Sequence, residues 1–186
     1  MTNSFVHLHA HTEYSMLDGA AKIKDYLTKV KELNQPAAAI TDHGNLYGAL
    51  EFVKVAEEIG VKPIIGYEAY ITPGSRFDRP DRQNNKRYHL TLLAENNVGY
   101  QNLVELVSKA FIEGYYYKPR IDYELLKQHS EGIIALSGCL GCEIAQSLAP
   151  DLTKQSAEER KSPPHSGERT EATPAEAVAI ATVQRT

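Results

Sequence analysis

The stretch FVHLHAH, residues 5–11, alternates apolar side chains with imidazoles. Period-two alternation is the pattern of a strand, whose successive side chains face opposite ways. His7, His9 and His11 are therefore predicted to share one face, with Leu8 and Ala10 on the other. Three neutral imidazoles on one rigid element suit a transition metal such as zinc, manganese or iron. The plain alternative is a chance row of surface histidines, but three of the chain's seven histidines fall in these five residues.

Outward from this stretch, helix and strand patterns alternate. Ala20–Leu33 sets Ile23, Tyr26, Leu27, Val30 and Leu33 at helical spacing. Pro36–Thr41 is a short apolar strand, Leu46–Ile59 a second amphipathic helix stopped by Gly60, and Lys62–Ile71 a third strand. A polar loop, TPGSRFDRPDRQNNKR, leads to the strand YHLTLLA and a helix from Asn97 to Ile112. A short helix at Tyr123–Gln128 and the strand GIIALS follow. Strands alternating with helices predict an α/β fold of parallel units, with functional groups at the C-terminal ends of the strands.

Chemistry-bearing residues recur at those ends. The second strand runs into TDHG, where Asp42 alone reads as a helix cap. Beside HxHxH, a ligand role for His43 is favoured. Glu68 interrupts an apolar strand, where a carboxylate is costly unless paired or held on a metal; an exposed edge position is the alternative. His89 opens the next strand and is a candidate through its register with the others. Cys139 in SGCLG fits a thiolate ligand or a small buried residue equally well. This N/O/S set from neighbouring strands suits a site with two or three metals that activates water on a phosphoester.

Basic residues crowd the loop that ends at Arg87, and a solvated loop is the favoured reading of it. Arg87, Lys118 and Arg120 are the candidates to meet a phosphate or DNA. Tyr115, Tyr116 and Tyr117 could stack bases or be buried. The pair Cys139 and Cys142 lacks the context of a thioredoxin-like redox motif.

The 186 residues are 42% hydrophobic and 24% charged, with a net charge of −4. That balance excludes a strongly basic nucleic-acid binder. No stretch approaches the ~18 apolar residues of a membrane span, and the N-terminus lacks a signal-peptide pattern, so a cytoplasmic location without membrane partners is expected. Composition changes near residue 148. Residues 4–148 are expected to form the folded domain, and 149–186 a low-complexity, disordered tail.

The motifs HLHAHTEYSMLDGA, AITDHGNLYGALEF, KPIIGYEAYI, YHLTLLAENNVGYQNLVELVS and GIIALSGCLGCEI resemble successive motifs of the PHP (polymerase and histidinol phosphatase) domain. In wording they are similar to the form found in bacterial DNA polymerase III alpha subunits, as is FIEGYYYKPRIDYELL. The resemblance covers residues 4–148. It implies a distorted (β/α)7 barrel with a trinuclear site of zinc, manganese or iron. Matched motif by motif, His7, His9, His11, His43, Glu68, His89 and Cys139 fall on metal-ligand positions. His9, His11 and Glu68 carry the catalytic work, and Asp18 and Asp42 stand behind the ligands.

The same resemblance implies a role in DNA replication, with 3′–5′ exonuclease action on a DNA 3′ end or another phosphoester, and the rest of the polymerase and the replisome subunits as partners. A metal-braced docking module without catalysis and a free-standing phosphatase are the alternatives. Three departures stand out. Cys142 occupies a usual glycine position, no Asp-x-His closing motif occurs, and a barrel of this kind takes roughly 250 residues. The expectation is therefore an incomplete barrel from a truncated or frameshifted gene, without the polymerase core and with weak catalysis or none from this chain. Its open sheet edge would favour low stability or self-association.

Overall fold

A computed structural model describes residues 5–148, apart from Leu17, Arg82, Gly138 and Cys139. The expected tail at 149–186 and the reading of Cys139 lie outside the described residues. In chain order the elements are α1 (Ile23–Glu32), β1 (Ala37–Ile40), α2 (Ala49–Ile59), β2 (Lys62–Ile71), β3 (Tyr88–Ala94), α3 (Asn97–Ile112), β4 (Arg120–Ile121), α4 (Tyr123–Gln128), β5 (Ile133–Leu136) and α5 (Glu143–Leu148).

Local chemistry sets the helix ends. Gly60 terminates α2 in the left-handed region (φ 75°) and returns its N–H to Ala56 and Glu57 carbonyls. The Asn96 side chain accepts from Gly99 N–H to start α3, and Asp122 accepts from Leu125 N–H to start α4. None of the described helices is long and apolar enough to cross a membrane.

The sheet is mixed rather than all-parallel, which corrects the expectation of uniform β/α units. Its strand order is β1-β2-β3-β5, with β4 also paired to β2. β1 and β4 run parallel to β2; β3 runs antiparallel to both β2 and β5. The reason lies in residues 72–87. The described residues of that segment hold no helix, and a return without a crossover helix delivers the next strand antiparallel. Among the described residues, no strand covers the far edge of β5.

Two apolar clusters hold the elements together. Ile23, Leu27 and Val30 of α1 and Phe52 and Ala56 of α2 bury against Ala38 and Ile40 of β1. Leu103, Leu106 and Ala110 of α3 and Leu125 of α4 pack on Tyr67, Ala69, Ile71, Tyr88 and Leu92. Strand alternation then turns Glu68 and Tyr70 of β2, with His89 and Thr91 of β3, to the opposite face.

Residues 5–11 were predicted to form a strand but are not one. They run alongside β1 with two backbone bonds, from Ala39 N–H to the His7 carbonyl and from Thr41 N–H to the Ala10 carbonyl. Two steps from Ala39 of β1 to Thr41 just beyond it thus match three along the segment, from His7 to Ala10. The extra residue acts as a bulge and reverses the facing between His7 and the pair His9 and His11.

Candidate metal centre

β1 and β4 occupy the same edge of β2, and the gap between them is where the site is built. The β1–β2 register, Ile40 opposite Ile65, continues without slip into an isolated bridge of His43 to Glu68. Glu68 N–H donates to the Asp42 carbonyl (3.0 Å), and Gly44 N–H donates to the Glu68 carbonyl (2.9 Å). This ladder sets the His43 ring beside the Glu68 carboxylate. Gly44 makes the turn possible, with φ 66° and with Pro119 and the Tyr70 ring only 2.9 and 3.1 Å from where a Cβ would stand.

The Glu68 carboxylate is 1% exposed and meets four imidazoles. Its Oε2 lies 2.9 Å from His9 Nε2, 2.9 Å from His11 Nε2 and 3.3 Å from His43 Nδ1. Its Oε1 lies 2.6 Å from His89 Nδ1. His89 arrives from the antiparallel strand: Tyr70 pairs with His89, so the first turnaround of β3 lands beside the end of β2. Asp18 Oδ2 closes the other side, 2.7 Å from His43 Nε2.

These side chains form three overlapping groups with ligand atoms within 4.8 Å of one another: His9, His11 and Glu68; His11, Asp18 and His43; His43, Glu68 and His89. Each group is able to hold a cation. The donor set of imidazole and carboxylate suits divalent transition metals. A further feature fits the same reading: His43 Nδ1 is buried without a hydrogen-bond partner among the described residues, although it stands 3.3 Å from a carboxylate oxygen. A lone pair aimed at a cation would satisfy it.

The electrostatics follow from crowding. Burial alone would raise the Glu68 carboxyl, but bonds to His11, His89 and His9 and the charge of His43 hold it far below the usual carboxylate range. Burial pulls His11 down, yet its bond to Glu68 and the nearby carboxylates leave it raised. On His43 the burial wins, and it is lowered despite Glu68 and Asp18. The two rings stack with centroids 4.2 Å apart, so charging one opposes charging the other.

A second set of residues fixes the ligand-bearing segment. The buried Asp42 carboxylate accepts from Thr12 N–H (2.6 Å) and Ser15 Oγ–H (3.0 Å) on Oδ1 and from Thr12 Oγ–H (2.7 Å) on Oδ2. Ser15 Oγ also accepts from His43 N–H (3.0 Å) and lies 3.2 Å from His11 Nδ1. Asp42 therefore serves the site as an anchor, not as a helix cap.

Several expected residues fall elsewhere. His7 is exposed, packs edge-on against Phe5 at 4.7 Å and belongs to none of the three groups. Asp18, expected behind the ligands, reaches His43 directly. Arg120 corrects the expectation of a phosphate contact. It is 1% exposed, and its guanidinium donates to the Gly114, Arg76 and Asp78 carbonyls and to Asn85. Those donors are spent inside the molecule. Lys118, by contrast, lines the same open cleft as Asp18, His43 and His89. Arg87 is half-buried, and its charge reaches the Tyr70 hydroxyl. Tyr70, which stacks on His43 at 5.8 Å, was missed; its position two residues after Glu68 on the same strand was the available signal.

Comparison with known proteins matches the PHP domain family over residues 7–167. The DNA polymerase III subunit alpha of Thermus aquaticus is 58% identical over 151 residues, 79% of this chain and 12% of that protein. That of Deinococcus radiodurans is 57% identical over 152 residues, 77% of this chain and 11% of that protein. The chain thus spans about an eighth of the length of these relatives. Among solved structures, an amidohydrolase from Chromobacterium violaceum aligns with a TM-score of 0.40 and 18% identity, over 58% of this chain and 33% of that one.

Proposed function

The chain belongs to the PHP domain family, and from that premise we propose that it is the metal-dependent phosphoesterase portion of a replicative DNA polymerase III alpha subunit, acting on a DNA 3′ end in the cytoplasm. Two or three divalent ions of zinc, manganese or iron would be held by His9, His11, His43, Glu68 and His89, with Asp18 completing one group and Cys139 as a further ligand. When bound, such ions supply Lewis-acid charge to a phosphoryl group and to the water beside it. The observation that carries this reading is the single buried carboxylate shared by four imidazoles.

The protein's own groups do the remaining work. Glu68 supplies the negative charge that makes the pocket hospitable to cations, and β2 fixes it in the middle of the sheet. Asp42 and Ser15 hold the turn that orients His11 and His43. Lys118, in the cleft beside Asp18 and His89, is placed to steady a phosphate oxygen.

The test is release of nucleotides from the 3′ end of single-stranded DNA by the intact subunit that carries this domain, with manganese or zinc added. The reading expects metal-stimulated release that Glu68→Ala abolishes. Release that is insensitive to both metal and Glu68→Ala would refute it, as would none from the metal-loaded protein.

A further inference from the structure

The cleft that holds His43, His89 and Asp18 is an open hollow of about 790 Å³, and aromatic side chains the metal centre does not use line much of the rest of it. Tyr47, Tyr115 and Tyr117 are 65%, 54% and 61% exposed, and Phe111 joins them. Phe111 lies 6.3 Å from Tyr47 and stacks on Tyr115 at 6.1 Å. An adjoining set of large exposed rings is costly in water and marks a surface that receives something.

The GYYYKPR segment shows which of its rings are structural. Tyr116 is half-buried, donates its hydroxyl to the Pro80 carbonyl (2.7 Å) and lies under the Arg120 guanidinium. Tyr115 and Tyr117 on either side line the cleft instead. Tyr117 is held at φ 61°, a conformation that a bulky residue adopts at a cost. The cation in the cleft is Lys118, whose Nζ lies 5.4 Å over the Tyr70 ring, and Tyr70 in turn stacks on His43.

We propose that Tyr47, Phe111, Tyr115 and Tyr117 form a stacking wall for unpaired nucleobases, so that the metal centre receives the end of a single strand rather than a duplex end or a small phosphate ester. The inference rests on the phosphoesterase reading and names its substrate class. Flat rings with a cation beside them suit bases joined by phosphates. Every base offers a face to an aromatic ring, which makes such a wall tolerant of sequence. A duplex would bury its faces in its own stack and leave the wall unused.

The experiment uses the full chain loaded with manganese and a fluorescent oligothymidylate whose 3′ linkages are phosphorothioates, followed by anisotropy. A second oligonucleotide carries abasic residues at its last three 3′ positions. Stacking of this kind contributes on the order of 5-fold or more in affinity per base. The expected result is at least ~10-fold weaker binding of the abasic strand. Tyr115→Ala and Tyr47→Ala should each weaken binding of the normal strand about 5-fold or more, and Tyr115→Phe should restore it. Both positions tested are exposed, so melting temperature and bound metal should stay unchanged. Equal binding of the two strands, no binding of either, or indifference to both alanine variants overturns the proposal. Base-dependent binding without any nucleotide release from an unmodified strand would refute the phosphoesterase reading and keep the wall. Release that is indifferent to the bases would do the reverse.

Discussion

Replacing Asp42 with alanine removes the acceptor for three hydrogen bonds at once. Thr12, Ser15 and Asp42 are 0%, 2% and 1% exposed, so no water takes over the orphaned donors. Bonds to a charged acceptor contribute about 1.5–3 kcal/mol each. Their sum overshoots, because the three share one carboxylate and because removing it also removes the cost of burying its charge. A net loss of about 3–5 kcal/mol is expected, a large share of the stability of any single domain. Asp42→Asn separates charge from geometry. Its carbonyl oxygen keeps accepting from Thr12 N–H and Ser15, while the Thr12 hydroxyl turns to accept from the amide, so it should cost only about 1–2 kcal/mol. Urea unfolding of the metal-free chain, followed by circular dichroism, measures both. A loss under about 1 kcal/mol for Asp42→Ala, or equal losses for the two variants, would refute the claim that this carboxylate anchors the ligand-bearing turn.

Two more predictions concern the frame around the site. Asp122 accepts from the Arg76 backbone and guanidinium and caps α4. Burial raises its carboxyl, but the Arg76 and Leu125 N–H groups and the Arg76 charge leave it lowered. A lowered folded-state value gives stability that is present above the unfolded carboxylate range and lost as pH falls through the folded value. Asp122→Ala should therefore cost about 3–5 kcal/mol near pH 7, with the gap to the unsubstituted chain narrowing below about pH 4, as urea titrations at the two pH values would show. At Gly99, a Cβ would stand 1.8 Å from the Gly132 carbonyl oxygen, so Gly99→Ala should lower stability by about 2–3 kcal/mol, read as a lowered urea midpoint.

Helices and strands with a full period were legible before any coordinates. Asn97–Ile112, Tyr123–Gln128, Lys62–Ile71 and Tyr88–Ala94 are the elements the residue pattern predicts. β4 escaped because two residues carry no period. The antiparallel turn from β2 to β3 was signalled by the helix-free polar loop 72–87 but lost to the βα alternation on either side. Facing was read correctly only where the register runs unbroken. His9 and His11 share a face, whereas a single extra residue before Ala10 sends His7 away, and nothing in HLHAH marks that bulge. Asp18 reaches His43 because the turn at Thr12–Gly19 doubles back, with Ser15 N–H on the Thr12 carbonyl and Gly19 N–H on the Ser15 carbonyl. Such a contact depends on tertiary closure, which local spacing does not encode. Arg120 was misjudged for a related reason: among tyrosines and a lysine it looks solvated, yet the side chain is buried and four acceptors meet its guanidinium.

Everything functional here depends on Glu68 drawing imidazoles from three parts of the chain around cations they share. Native mass spectrometry of the folded, metal-loaded chain counts those cations directly. The account predicts two or three zinc or manganese ions per chain, with at least one lost in Glu68→Ala. A chain that retains no ions, or a Glu68→Ala variant that retains the full number, would contradict it.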